Sequence, residues 1–133
     1  MSQPVIDSVF LRRWLAIAAV FGMLAVAAGA FGAHGLQGVL TERMLEVYQT
    51  AVSYQMYHAL ALGLTAIASV SLGSRGAMTL AAWSFTLGIL VFSGSLYALV
   101  FTGITEFGMM TPLGGVAFII GWLSLAVAAW RGA

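Results

Sequence analysis

The sequence predicts an all-α membrane protein: four transmembrane helices in a compact antiparallel bundle, with both chain ends in the cytoplasm. Composition is the first reason, since 62% of the 133 residues are hydrophobic and only 7% are charged, against about 25% charged in a typical soluble domain. A soluble chain of 14.0 kDa could not hide this much apolar surface, because small domains leave a large share of their surface in water. A cytosolic enzyme, a nucleic-acid-binding protein and a disordered chain are excluded together.

The second reason is the spacing of the charged residues, which divide most of the chain into four uncharged runs. Each run holds 24 to 30 residues, enough for one helical crossing, which needs roughly 20, and too few for two. A water-soluble helical bundle would need polar outer faces, and these runs have none. We predict a single domain over residues 1–133, with spans at about residues 14–32, 52–72, 77–101 and 112–130.

The ends of the predicted helices carry local signals. The thirteen residues before the first span are expected to form a mobile leader, and a short helix on the membrane surface is the alternative. Thr41 is the expected N-cap of the second helix, and Gly73 and Gly76 bound a tight turn before the third. In the fourth helix, Thr111 is the expected N-cap and Pro112 the first helical residue.

The distribution of arginine predicts the orientation. With the N-terminus inside, the inner segments hold Arg12, Arg13, Arg75 and Arg131, and the outer segments hold only Arg43. Cytoplasmic segments carry the excess of positive charge. Both termini are therefore predicted to be cytoplasmic.

Small residues recur every three or four positions along the first and fourth spans, so each set lies on one helical face. Such stripes let membrane helices approach closely, and packing inside the bundle is the favoured interpretation. A dimerisation surface or a close ligand approach is the alternative. The glycines concerned are Gly22, Gly29, Gly32, Gly114 and Gly121.

The second span is the most polar, and His58 lies deep within it. An ionisable residue at that depth suggests a function by default, although a neutral histidine bonded to a neighbouring helix would equally stabilise the bundle. Under the predicted topology, several polar and glycine-rich segments converge on the outer half of the bundle. The hypothesis is a shallow, outward-facing polar pocket formed by His34, Tyr54, Gln55, His58, Ser93, Tyr97 and Thr111.

No catalytic or metal site is predicted. Cysteine is absent, and the two histidines are expected at different depths, which suits neither zinc nor haem. The motifs of hydrolases, metalloproteases and nucleotide-binding proteins are missing. We expect a protein that is not an enzyme and has no cofactor.

Four segments, in order along the chain, resemble the YgdD-like family of small inner-membrane proteins of bacteria, a domain of unknown function. The resemblance implies four transmembrane helices in a bacterial inner membrane and no particular reaction. It rests on the segments Gly29–Gly35, Tyr54–Leu60, Phe92–Tyr97 and Thr111–Gly115.

Two function classes are consistent with these observations. The first is a non-enzymatic membrane module that binds a lipid, a quinone-like amphiphile or a partner protein, mostly within the bilayer. The alternative is an oligomeric transporter or channel for a small solute or protons, with His58 on its polar face. The expected partners are membrane lipids and a second copy or another membrane protein; no nucleic acid is expected.

Overall fold

The structure, a computed structural model, describes residues 4–73 and 75–132, and this part of the chain forms four long helices. They are α1 (Pro4–His34), α2 (Glu42–Leu72), α3 (Ala77–Thr102) and α4 (Thr111–Arg131). A short 3₁₀ helix, Thr105–Met109, joins α3 to α4. All four helices are long and apolar enough to cross a membrane and they pack together, so the predicted fold class is confirmed.

The four helices are not equally buried in the bundle. α1 packs along α2, α3 packs against both α2 and α4, and α2 meets α4 over a short stretch only. α1 is therefore the most peripheral helix, with 17% of its most apolar window buried against 44% for α2. The buried apolar core consists of Trp14, Ala18, Ala61, Leu62, Ala66, Ala81, Ala82, Phe85, Ile89 and Phe118.

The first helix begins earlier than expected. α1 starts at Pro4, so the prediction of a mobile leader is wrong for residues 4–13; residues 1–3 lie outside the described part. Phe10 and Leu11 pack against the core, and the rings of Phe10 and Trp14 are 6.1 Å apart. The helical conformation of this segment lets Phe10 and Leu11 become partly buried against the core.

The predicted helix ends are only partly correct. Thr41 caps α2, since its Oγ1 accepts a hydrogen bond of 3.2 Å from the backbone N–H of Met44. Gly73 and Gly76 have φ of 80° and 57°, a left-handed region that glycine enters without strain. The N-cap prediction for Thr111 is wrong, because Met110 is the N-cap and Thr111 is already helical. The Thr111 hydroxyl instead forms a hydrogen bond with Ser95 of α3.

Glycines of α4 allow α3 to approach its backbone closely, through the ring of Phe85 and through the backbone of Phe92. A Cβ atom at Gly121 would lie 2.7 Å from Cδ1 of Phe85, and one at Gly114 would lie 2.7 Å from Cα of Phe92. Real Cβ atoms essentially never lie this close to a neighbouring atom. Both positions therefore depend on glycine for the contact between α3 and α4.

The α1–α2 contact uses glycine at one end only. A Cβ at Gly32 would meet the ring of Tyr48, at 3.0 Å from Cδ1, whereas one at Gly29 would lie at an ordinary 3.4 Å from Val52. Gly22 would meet nothing within 4 Å. Next to Gly22, the Gln55 side chain donates a hydrogen bond to the carbonyl oxygen of Phe21 on α1. The two helices are therefore joined at this position by a side chain and not by a close approach of their backbones.

Candidate functional site

An aromatic groove lies between α2 and α4, with α3 as its floor. Its volume is about 620 Å³, within the range of about 300–1,000 Å³ that small-molecule sites occupy. Tyr57 and Ile119 at its rim are 57% and 67% exposed. The groove therefore opens on the outside of the helix bundle, on the surface that faces lipid in a membrane. Its walls are Tyr54, Tyr57, His58, Phe92, Gly115, Phe118, Ile119 and Trp122.

His58 lies at the centre of this groove with both ring nitrogens in use. Its Nδ1 is 2.8 Å from the carbonyl oxygen of Tyr54, one turn earlier in α2. The indole Nε1–H of Trp122 donates to His58 Nε2 at 3.2 Å. Since Nε2 accepts, the proton of the neutral imidazole is on Nδ1, where it is donated to the carbonyl. This pair joins α2 to α4 where the two helices meet.

Aromatic rings continue the wall on both sides of the imidazole. The rings of His58 and Phe118 are parallel to within 9° with centroids 3.5 Å apart. Tyr54 stacks on Phe92 at 4.6 Å and 25°, and on His58 at 5.8 Å and 23°. Planes this close to parallel favour another flat ring in the same orientation.

A π-helical segment, Ile89–Ser93, interrupts the α-helical pattern of α3 at the floor of the groove. A π turn holds more residues than an α turn and commonly marks a functional site. Here it directs Phe92 into the groove, while the adjacent Ser93 donates to the carbonyl oxygen of Ala51 on α2 at 2.7 Å. The π-helical segment thereby lets Phe92 face the groove while Ser93 faces α2.

The groove lies near the middle of the spanning helices. Tyr57 is fifteen residues from either end of α2, which at about 1.5 Å per residue is about 22 Å from each end. Trp122 is eleven residues from the start of α4 and nine from its end. The hydrocarbon core is about 30 Å thick, so the groove lies within the central part of two helices that are long enough to cross it.

Gln55 and Tyr97 lie on the other flank of α2, away from the aromatic groove. The Tyr97 hydroxyl donates to Gln55 Oε1 at 2.7 Å, and Gln55 Nε2 donates to the carbonyl oxygen of Phe21 at 2.9 Å. Tyr48 donates to the carbonyl oxygen of Ala28. These bonds join α1, α2 and α3 at the floor of a second recess of about 460 Å³.

The seven polar residues predicted to share one pocket are therefore divided among separate places. Tyr54 and His58 line the aromatic groove, and Gln55 and Tyr97 belong to the second recess. Ser93 donates to the carbonyl oxygen of Ala51 on α2, and the Thr111 hydroxyl is 2.7 Å from Ser95 Oγ at the start of α4. His34 is exposed at the end of α1. The prediction assigned these residues to one pocket in the outer half of the bundle, whereas Gln55 lies on one flank of α2 and Tyr54 and His58 lie on the other.

Four aromatic residues of the groove were missed by the sequence analysis: Tyr57, Phe92, Phe118 and Trp122. The spacing of the last two contains a usable signal, because Gly114, Phe118 and Trp122 follow one another at four-residue intervals on one face of α4. The interpretation of this helix as a small-residue stripe considered its glycines and left out its aromatic residues. The donor that fixes His58 could be assigned only once α4 was placed beside α2.

Fold and site together define a class: a small membrane protein of four spanning helices whose polar side chains form hydrogen bonds between helices. A family model described as "Protein of unknown function (DUF423)" matches residues 28–115. The chain belongs to this family, whose curated relatives carry the name UPF0382 membrane protein.

The relatives are similar over nearly their whole length. UPF0382 membrane protein YwdK of Bacillus subtilis is 47% identical over 119 residues, which cover 90% of this chain and 97% of the relative. UPF0382 membrane protein SAB0533 of Staphylococcus aureus is 44% identical, with 91% and 98% covered. A UPF0382 membrane protein of Haemophilus influenzae is 38% identical, with 90% and 95% covered.

These names confirm a membrane protein of unknown function and assign no activity. The expected resemblance to a family of small membrane proteins of unknown function is correct, although none of these matches carries the YgdD-like name. No solved structure matches this chain.

Proposed function

We propose that the protein is a non-enzymatic module of the bacterial inner membrane that binds a membrane-soluble amphiphile in the aromatic groove. One observation carries the proposal: a groove of about 620 Å³, lined by aromatic residues that include two tyrosines, opens sideways near the middle of the spanning helices. A ligand can enter from the bilayer without crossing water. Membrane lipids are then the immediate partners.

The neighbouring glycines of α4 provide a test of the groove. A Cβ at Gly115 would come no closer than 4.0 Å to Phe92, so a larger side chain there can grow into the groove without striking the backbone. Gly22 on α1 has open space around a Cβ and is remote from the groove. Gly115→Leu fills the site, and Gly22→Leu is the matched control.

The measurement is native mass spectrometry of protein gently extracted from its own membrane. We expect an additional small-molecule mass on the wild type and on Gly22→Leu, and its loss from Gly115→Leu. The proposal would be contradicted if no sample carried an additional mass. It would also be contradicted if Gly115→Leu kept the same additional mass as the wild type. A second copy or a protein partner would appear as a larger mass in the same spectra.

The orientation and the membrane belong to the same proposal. Because neighbouring helices are antiparallel, Arg12, Arg13, Arg75 and Arg131 lie at one end of the bundle and Arg43 at the other. This bias supports an inner-membrane protein with both termini in the cytoplasm. Reporter fusions at each terminus test it, and activity of a periplasmic reporter at either end would refute it.

An oligomeric transporter that uses the His58 face is the alternative, and no contact among the described residues favours it. Both nitrogens of His58 are engaged within the protein, and the groove opens sideways to lipid. Flux into proteoliposomes that is lost in His58→Phe would favour transport over binding.

A further inference from the structure

The groove also indicates the chemistry of its ligand, and this inference rests on the proposed function. We propose that the ligand is a quinone-type amphiphile: a flat, uncharged ring that carries hydrogen-bond-accepting oxygens and is attached to an apolar tail. Three observations support this ligand class: the position of the groove along the helices, the orientation of the aromatic rings in its wall, and the unpaired hydroxyl groups of Tyr54 and Tyr57.

Depth excludes a charged head group. The groove lies about 22 Å from either end of α2, by the rise of about 1.5 Å per residue, and charged groups are strongly disfavoured near the bilayer centre. The described wall residues include no carboxylate, arginine or lysine to neutralise one, and His58 is held neutral by its two bonds. A phospholipid head group would have to leave the interface and enter this apolar environment unpaired.

The wall selects a flat ring. His58, Phe118 and Tyr54 present planes within about 30° of one another, at 9°, 23° and 31° for the three pairs. An offset-stacked ring gains about 0.5–1.5 kcal/mol beyond its buried area, which a saturated acyl chain in the same place does not. A ring with an apolar tail could therefore bind in preference to the surrounding lipid chains.

Two phenol hydroxyls provide the donors. Tyr54 and Tyr57 line the groove, and neither hydroxyl has a hydrogen-bond partner among the described residues. Tyr57 is 57% exposed at the midpoint of α2, whereas tyrosine normally lies at the membrane interface. An unpaired hydroxyl in hydrocarbon is costly. Ring carbonyls or ring ethers of a bound quinone would accept from these hydroxyls without introducing charge.

Three probes with ten-carbon tails separate the contributions. Decylubiquinone has the ring and the oxygens, decylbenzene has the ring alone, and methyl decanoate has a carbonyl without a ring. Each is titrated into phosphatidylethanolamine–phosphatidylglycerol nanodiscs that contain the protein, and occupancy is read by native mass spectrometry. We expect decylubiquinone to bind tightest. One hydrogen bond is worth about 0.5–1.5 kcal/mol, which is about 2- to 13-fold in Kd, so decylbenzene should be weaker by at least that factor.

Variants that keep the rings test the hydroxyls. Tyr54→Phe and Tyr57→Phe should each weaken decylubiquinone about 2- to 13-fold and leave decylbenzene unchanged. Tyr97→Phe removes a hydroxyl outside the groove and should change neither. Equal affinity for decylbenzene and decylubiquinone, or for methyl decanoate and decylubiquinone, overturns the assignment, and so does insensitivity to both groove variants.

The two proposals can fail separately. If an endogenous amphiphile is displaced by Gly115→Leu but decylubiquinone does not compete with it, the groove is a binding site and the quinone class is wrong. If neither an endogenous amphiphile nor any probe responds to Gly115→Leu, the proposed function fails together with the ligand class.

Discussion

Of two adjacent glycines at the start of α4, only Gly114 should destabilise the protein when it is replaced by alanine. In Gly114→Ala the new methyl group would lie 2.7 Å from both Cα and Cβ of Phe92, with the backbone nitrogen still closer. In Gly115→Ala the nearest atom outside its own helix is Cδ2 of Phe92 at 4.0 Å. The chemical change is identical, and only the distance to α3 differs.

The magnitude follows from two opposing terms. Alanine gains up to about 1 kcal/mol over glycine in a helix. Overpacking a close contact costs about 1–3 kcal/mol, and Gly114 belongs at the upper end because backbone atoms cannot rotate away. Gly114→Ala should therefore lower the free energy of unfolding by about 1–2 kcal/mol, by the same two terms. Gly115→Ala should leave it unchanged or raise it by up to about 1 kcal/mol.

The assay is reversible unfolding in mixed micelles, in which the helical signal is followed as a denaturing detergent replaces a mild one. A difference of roughly 2 kcal/mol between the variants is about a 30-fold difference in the unfolding equilibrium constant. Similar stabilities for the two variants, or a more stable Gly114→Ala, would show that α3 and α4 do not approach through Gly114, and the geometry of the groove floor would then be incorrect.

Three further predictions concern bonds between helices. Trp122→Phe leaves His58 Nε2 without its donor and should cost about 1–3 kcal/mol, while in His58→Phe the same tryptophan change should cost clearly less, as a double-mutant unfolding cycle would show. The bond between Tyr97 and Gln55 should give a coupling of about 0.6–1.7 kcal/mol in a cycle of Tyr97→Phe and Gln55→Leu; zero coupling would mean that the bond is not formed. Ser93→Ala removes a bond to α2 and should cost about 1 kcal/mol, whereas Ser93→Thr, which keeps the hydroxyl, should recover part of it if the methyl group fits.

The sequence predicts the grosser features because they depend on local physics. Four uncharged runs must cross the bilayer as helices, since a backbone in hydrocarbon has to satisfy its own hydrogen bonds. Thr41 and the glycines of the turn at residues 73–76 act on their own backbone, so their roles could also be assigned without a neighbour. Thr111 was misassigned because its hydroxyl has an alternative partner, Ser95, on another helix.

The groove could be predicted only in part. Tyr54 and His58 stand out because polar groups are rare in membrane helices, whereas Phe118 and Trp122 are ordinary residues for an apolar helix. The small-residue stripes were recognised, yet spacing alone gives no distance. Gly114 and Gly121 lie against α3 while Gly22 has open space.

By itself, the sequence determined a four-helix membrane protein with a polar second span, because hydropathy, charge and turn residues act within a single helix. The tertiary structure decided which flank of α2 each polar residue occupies, which carbonyl or indole each one meets, and where a groove stays open to lipid. Those outcomes depend on the rotation and separation of neighbouring helices. In this chain they are set by contacts between distant residues, such as Phe92 against Gly114 and Trp122 against His58, which no local pattern encodes.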